Sequence, residues 1–299
     1  MKYFDDRTGS TAIGLAYSPG VVAYVHDHPD LVDYIEVPFE QLRHTPEVAK
    51  LQEHIPLVLH CASMSVAGDA RPTEKTLEHI QYYAEKLRTP WIGEHLAYMS
   101  ANPVHIHDRA ALTGDPDASD EEPVSLHYTV CPQLSQTTLD RTVSNVKALS
   151  KRFDTPILFE NSPQYFAVPG STMPINDFIA SFFDRVDNGM LLDLTHFIVS
   201  AHNNGYDASE EIEKMPLERV VEMHISGYSI QSGVAWDDHA ISATEQVFSL
   251  LSQVLKRANP RAITFEYNWD SEFPPTLISR HIKRVRAMLE SSPSLVGVS

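Results

Sequence analysis

The chain has 299 residues, 42% of them hydrophobic, two cysteines and a formal net charge of −17 at pH 7. That size and balance bound an ordinary globular protein, and the acidity disfavours one whose main work is gripping nucleic-acid phosphates, an affinity built from clustered Lys and Arg. Cys61 and Cys131 lack CxxC spacing and form neither a disulfide framework nor a thiolate site, so any metal here is held by nitrogen and oxygen. No run approaches the roughly eighteen apolar residues of a membrane span and the N-terminus is no signal peptide, so a cytoplasmic protein with no membrane partner is expected.

Taken in order, residues 13–17 read as a first short strand broken by Ser18-Pro19-Gly20, and 21–31 as a helix. Residues 34–38 are the second strand, 47–54 a second helix and 57–60 the third strand. The stretch 73–87 is amphipathic, with Leu77, Ile80, Tyr83 and Leu87 on one helical face. The fourth strand, 91–95, is followed by a break in rhythm. Residues 96–133 show no clear periodicity, but carry Pro103, Pro116, Pro123 and Pro132, an acidic patch at 115–122, and His105, His107 and His127. A structureless insertion of this length in a compact domain is usually functional, a lid or a substrate loop. Regularity then returns: helix 139–153, strand 157–160, helix 175–185, strand 190–193, helical stretches through Phe197 and around 209–214, strand 220–224, helix 243–256, strand 262–266 and helix 277–289.

Eight short buried strands alternating with helices over this length is the period of a (β/α)8 TIM barrel, an α/β fold, here with a long insertion after strand 4. An open doubly wound sheet is the runner-up, but no glycine-rich GxGxxG or GxxxxGK phosphate loop occurs. No linker, low-complexity tract or repeat interrupts the chain, and 1–299 is read as one domain.

Chemistry enters at the strand ends. Leu191-Leu192-Asp193-Leu194-Thr195-His196 is a buried apolar strand closing on a carboxylate, with an imidazole three residues on. Such a carboxylate is costly unless paired, hydrogen-bonded or bound to a metal. Strands three to eight end on His60, His95, Glu160, Asp193, His224 and Glu266, on the face where barrel active sites form. His196 and the pair Asp237 and His239 after strand seven complete nine candidate ligands, five imidazoles and four carboxylates. Four carboxylates in one mouth repel each other, and two or three divalent cations remove that conflict. Imidazole with carboxylate suits Zn, Fe or Mn. By strand alternation Glu94 points away from the barrel interior. Glu36 can reach the mouth, though a structural hydrogen bond is the simpler reading, and Asn161 is placed to orient a ligand or substrate.

These residues carry a resemblance. Their order and spacing are similar to those of the trinuclear-zinc abasic-site endonucleases and the wider xylose-isomerase-like barrels. The motifs Gly93-Glu94-His95-Leu96, Leu158-Phe159-Glu160-Asn161-Ser162, Leu191-Leu192-Asp193, Glu222-Met223-His224-Ile225-Ser226-Gly227 and Asp237-Asp238-His239 more specifically resemble the multinuclear non-heme iron-dependent oxidative enzymes. The resemblance covers nearly the whole chain; His196 stands where part of that family carries Asn.

The resemblance implies an O2-dependent non-heme iron oxidoreductase that modifies a cysteine residue of a ribosomally synthesised precursor peptide. It also implies a small leader-binding partner protein, the two forming a heterodimer. Outcomes in the family differ, with carbon excision from a C-terminal cysteine, as in thiaglutamate biosynthesis, slightly favoured here. Two to three Fe(II)/Fe(III) ions per chain and O2 as co-substrate are implied. His60, His95 and Glu160 hold one ion in that reading; Glu160, Asp193, His224 and Glu266 hold the central one; His196, Asp237 and His239 hold the third. The metal centre itself, through Asp193, His224 and Glu266, is then the catalytic element. The competing readings are a metal-dependent phosphodiesterase of the abasic-site type, a metal-dependent sugar isomerase and a non-catalytic metal scaffold. The acidic charge weighs against the first, the lack of a lysine at any strand end against the second, and the number of ligands around an open mouth against the third.

Overall fold

The computed structural model describes residues 10–102, 123–239, 242–268 and 274–291. Eight parallel strands close a barrel: β1 (Ala12–Ala16), β2 (Tyr34–Pro38), β3 (Leu57–Cys61), β4 (Ile92–His95), β7 (Ile157–Glu160), β8 (Met190–Asp193), β9 (Val220–Ile225) and β12 (Ala262–Phe265). They follow in that order around it, and β1 seals it against β12 from Ala12↔Ala262 to Leu15↔Phe265. The (β/α)8 barrel expected from the alternation of strands and helices is the fold observed. Two antiparallel pairs are inserted at the C-terminal ends of strands, β5 (Tyr98–Ala101) with β6 (Val124–Val130) and β10 (Tyr228–Gln231) with β11 (Val234–Asp237).

The outer ring includes α1 (Pro19–Asp27), α2 (Phe39–His44), α3 (Glu74–Leu87), α4 (Gln136–Arg152), α5 (Ile175–Phe183), α6 (Leu194–Asn204), α7 (Ala208–Glu211), α8 (Glu245–Val254) and α9 (Pro275–Ser291). Every strand alternates with period two, and the two faces go to different places. Ile35, Val37, Leu57, Leu59, Met190, Leu192, Ile263 and Phe265 join the core shared with the helices. Ala12, Tyr34, Val58, Trp91, Leu158, Leu191 and Ala262 form a separate cluster inside the barrel. The next inward positions, two residues later on each strand, are Gly14, Glu36, His60, Gly93, Glu160, Asp193 and Thr264. The barrel thus has an apolar plug below and a polar layer above.

Two glycines make room in that interior. A Cβ at Gly14 would lie 2.3 Å from the Tyr34 ring, and one at Gly93 2.6 Å from Nδ1 of His60. Glu222 is buried in the floor, with Oε1 accepting from Tyr34 Oη (3.0 Å) and Thr264 Oγ1 (2.8 Å) and Oε2 from Trp91 Nε1 (2.6 Å). Three donors satisfy the carboxyl oxygens at that depth, where an unpaired polar group is costly.

Several local expectations are corrected. The helix expected at 47–54 is a 3-10 stretch, Pro46–Glu53, preceded by the short α2. The first helix begins at Pro19 because Ser18 caps Val21 N and proline is pre-set for a first turn. The insertion 96–133 is not structureless: its two ends pair as β5 and β6. The signal was present in Val124-Ser125-Leu126-His127-Tyr128-Thr129-Val130, which alternates apolar and polar residues. Residues 103–122, with His105, His107 and the acidic patch 115–122, lie outside the described residues. The β10–β11 pair, also unforeseen, turns on Ser232 (φ 52°) and Gly233 (φ 84°), the two positive φ angles that tight two-residue hairpins demand. Among the described residues no helix is long and apolar enough to cross a membrane.

Candidate metal centre

Each strand end delivers its side chain by the same alternation, and the sharpest case is β8. Asp193 is both the last residue of the strand and the N-cap of α6, its Oδ1 accepting from His196 N at 2.6 Å. That cap is a structural reason for the aspartate, which the sequence reading did not see, and it occupies only one oxygen. Oδ2 is buried without a hydrogen-bond partner. Because α6 starts at once, His196 falls in its first turn, over the barrel mouth. Its Nδ1–H donates to the Asn161 carbonyl (2.9 Å), leaving Nε2 turned to Asp237 Oδ2 at 3.1 Å. Asn161 in turn brackets the Asp193 backbone, donating to its O and accepting from its N, both at 2.9 Å.

The β10–β11 hairpin carries Asp237 back over the mouth. Ser226 Oγ donates to Asp237 Oδ1 at 3.2 Å, and His239 Nε2 lies 2.5 Å from Asp237 Oδ2. On the other side, His60 Nε2 and His95 Nε2 each lie 3.4 Å from Glu160 Oε2. His224 Nδ1 lies 3.1 Å from Glu266 Oε2 and 3.7 Å from Glu160 Oε1.

All nine strand-end and loop residues singled out in the sequence therefore meet at one mouth. They fall into three groups, the donor atoms within each lying within 4.8 Å of one another and the first two sharing Glu160: His60, His95 and Glu160; Glu160, Asp193, His224 and Glu266; His196, Asp237 and His239. A fourth group adds a residue the sequence reading placed outside the ligand set, Glu36 with His60 and His224. Glu36 is buried, and its Oε2 stands 3.1 Å from His224 Nε2. Its signal was its position, two residues beyond the inward-facing Tyr34. Glu94 points away as expected, accepting from Met64 N (2.9 Å) and His95 N (2.8 Å). Tyr165 and Trp236, stacked with ring centroids 4.8 Å apart, were not anticipated; Trp236 precedes Asp237 in the chain.

The electrostatics of so many titratable groups are strained. Burial pushes His60 down to about 3, helped by His95. Burial, with Asp237, Glu160 and Glu266, raises Asp193 to about 7 against the pull of His196. Burial also lifts Glu36 well above the carboxylate range. Against burial, Glu266 and Asp237 raise His239 to about 9, Asp193 and Asp237 raise His196, and Glu36 and Glu266 raise His224. Burial would lift Asp237 too, yet His196 and His239 hold it at about 2. Both nitrogens of His60, Nδ1 of His95, both oxygens of Glu160 and Oδ2 of Asp193 are buried with no hydrogen-bond partner. Buried polar atoms are almost always satisfied, and a cluster left over in one polar mouth fits bound cations. With imidazole and carboxylate donors only, the set fits a borderline metal and not a thiolate-selected one.

The class the fold defines is the (β/α)8 TIM barrel. The chain superposes on D-psicose 3-epimerase from Clostridium cellulolyticum with TM-score 0.55 and 11% identity, over 93% of this chain and 99% of that one. Endonuclease IV from Thermus thermophilus gives TM-score 0.53 and 15% identity, over 94% and 100%. At these identities the likeness is one of fold. The family model for RiPP precursor modification enzymes MbnB/TglH/ChrH matches residues 12–121 and 123–290, and the chain belongs to that family. Its relatives include UPF0276 proteins of Streptomyces avermitilis, 26% identical over 95% of this chain, and of Anaeromyxobacter, 25% identical over 82%. The chain spans 56% of the length of the first and 80% of the second.

Proposed function

We propose that the chain is an O2-dependent multinuclear iron enzyme that oxidatively modifies a cysteine residue of a ribosomally made precursor peptide. The observation that carries the reading is the set of buried atoms without a hydrogen-bond partner on His60, His95, Glu160 and Asp193, in two ligand groups that share Glu160 and stand beside a third, in a chain of this family. His60, His95 and Glu160 would hold one ion; Glu160, Asp193, His224 and Glu266 the central one; His196, Asp237 and His239 the third. Bound iron with open positions supplies one-electron chemistry and a place for a soft thiolate.

The chain's own residues do the positioning. The Asn161 backbone carbonyl accepts from Nδ1–H of His196 and so aims Nε2 at the mouth, and the Asp193 cap fixes the first turn of α6 beneath it. Glu160 sits between His60 and His95 on one side and His196 and His224 on the other, which suits it to bridge two ions. The β10–β11 hairpin, with Trp236 stacked on Tyr165, carries Asp237 to the mouth. A small leader-binding partner and carbon excision from a C-terminal cysteine belong to the same proposal.

The test has two parts. Protein purified without oxygen is expected to hold two to three metal ions per chain, mainly iron; zinc alone with activity intact overturns the iron reading. Reduced protein, O2, a precursor peptide encoded near the gene and its partner protein are expected to change the peptide's mass, and Cys→Ser in the peptide to abolish the change. An unchanged peptide beside efficient cleavage of abasic DNA would replace this function with a phosphodiesterase.

A further inference from the structure

We propose that a cationic recess on the rim of the barrel binds carboxylate side chains of an acidic stretch of the substrate peptide. The proposal rests on the peptide-modifying function above and names a feature of the substrate. The recess, of about 300 Å³, lies between α2, the first half of α3, the loop after β3 and the β5–β6 pair. Arg43, Lys75 and His79 line it, with the hydroxyls of Thr76 and Ser100. No Asp or Glu is among its described lining residues.

What marks the recess is that Arg43 and Lys75 converge on one hollow with no carboxylate among its described lining residues. Arg152, Arg185, Arg257, Arg284 and Arg286 each have a carboxylate partner, in Glu74, Asp140, Glu213, Glu245 and Asp33. Arg43, Lys75 and His79 have no ion-pair partner among the described residues, and the Arg43 guanidinium rests over the Phe39 ring at 5.7 Å. Glu40 and Glu74, close to the lining residues in sequence, are engaged elsewhere. Glu40 accepts from Ala62 N and Ser63 Oγ, and Glu74 pairs with Arg152. On a chain of net charge −17, cations that go unpaired while facing one hollow form a site of opposite sign to its surroundings.

Location and chemistry choose the occupant. Helices that follow barrel strands start at the C-terminal face, so the first half of α3 shares the rim with the metal ligands, and Ser63 in the recess wall is three residues beyond His60. A peptide presented to the centre can therefore run across it. Charge screening acts over roughly 8–10 Å at physiological salt, so the local cations and not the distant net charge govern a bound side chain. A guanidinium takes a carboxylate through two parallel N–H donors, and Lys75 adds a point charge. Two cations and an imidazole are too few to track a nucleic-acid backbone, whose binding sums many phosphate contacts.

The probe is a fluorescein-labelled hexaglutamate peptide, followed by anisotropy against the full chain stripped of metal by a chelator, so that no carboxylate–metal bond contributes. Binding is expected to hexaglutamate and not to hexaglutamine, and to weaken about tenfold or more in an Arg43→Glu, Lys75→Glu double variant with an unchanged melting temperature. Arg43→Ala, Lys75→Ala is expected to fall between, and His224→Ala to bind as the parent does. Equal binding by the charge-reversed variant, loss in His224→Ala, equal affinity for hexaglutamine, or tighter binding of inorganic phosphate or single-stranded DNA each overturns the site. Because the assay needs neither metal nor turnover, it separates the two readings. Hexaglutamate bound at these residues beside an unmodified precursor refutes the oxidative function alone, whereas a modified precursor without hexaglutamate binding refutes the recess alone.

Discussion

Glu36 Oε2 lies 3.1 Å from His224 Nε2, while Glu36 Oε1 stands 3.7 Å from Nδ1 of His60. One carboxylate thus stands behind two imidazoles whose other nitrogens face Glu160 and Glu266. A carboxylate in that position fixes the ring orientation and raises the basicity of a ligating histidine, and removing it typically costs 10–100-fold in metal affinity. Glu36→Ala is accordingly expected to weaken Fe(II) binding by roughly 10–100-fold, with Glu36→Gln keeping more of it. Competition against a chromophoric chelator measures both; parent-like affinity in the alanine variant would make Glu36 a packing residue only.

Asp193→Ala and Glu266→Ala are expected each to lose metal and activity, whereas Glu94→Ala keeps its metal. Glu94 has a different duty, since removing it leaves the Met64 and His95 backbone N–H groups buried without their acceptor. Each such loss costs about 1–3 kcal/mol, so Glu94→Ala should melt at a lower temperature with unchanged metal stoichiometry. Metal analysis beside a thermal melt separates the two kinds of variant. Equal metal loss in all three would mean that the facing assigned to Glu94 has no functional meaning.

Metal binding should be strongly pH-dependent, and its sign follows from the shifts. Glu36 and Asp193 are raised, Asp193 to about 7, and His196, His224 and His239 are raised, His239 to about 9. In the metal-free protein these groups therefore hold protons at neutral pH, and a ligating cation must displace them. Affinity for Fe(II) or Mn(II) is expected to rise from about pH 6 to about pH 8, and binding to acidify a weakly buffered solution. Binding without proton release would remove these residues from the ligand set.

Below the site, Glu222→Ala leaves Tyr34, Thr264 and Trp91 without their shared acceptor in the dry interior. A loss of about 3–5 kcal/mol in unfolding free energy is expected, against about 1 kcal/mol for Tyr34→Phe, which removes the Tyr34 contacts to Glu222 and Thr264 but leaves Thr264 and Trp91 on the carboxylate. Denaturant unfolding reads both. Comparable losses in the two would mean that the floor is held by packing and not by this network.

The sequence by itself determined the barrel and the candidate donors. Strand periodicity and turn residues are local, and six consecutive barrel strands each carry Asp, Glu or His at or within one residue of their C-terminal end, so topology alone carries those residues to one rim. The tertiary structure decided what depends on facing and on partners far along the chain. Glu36 read as able to reach the mouth but more simply as a structural hydrogen-bonder until the barrel set it beside His224, 188 residues away. Asp193 looked unexplained until α6 was seen to begin on it and take one of its oxygens as a cap. Glu222, two residues before a candidate ligand, gained its role from Tyr34 and Trp91, which only barrel closure brings into reach. Local residue pattern specifies which way a side chain leaves its strand, but which groups meet it there is settled by long-range closure.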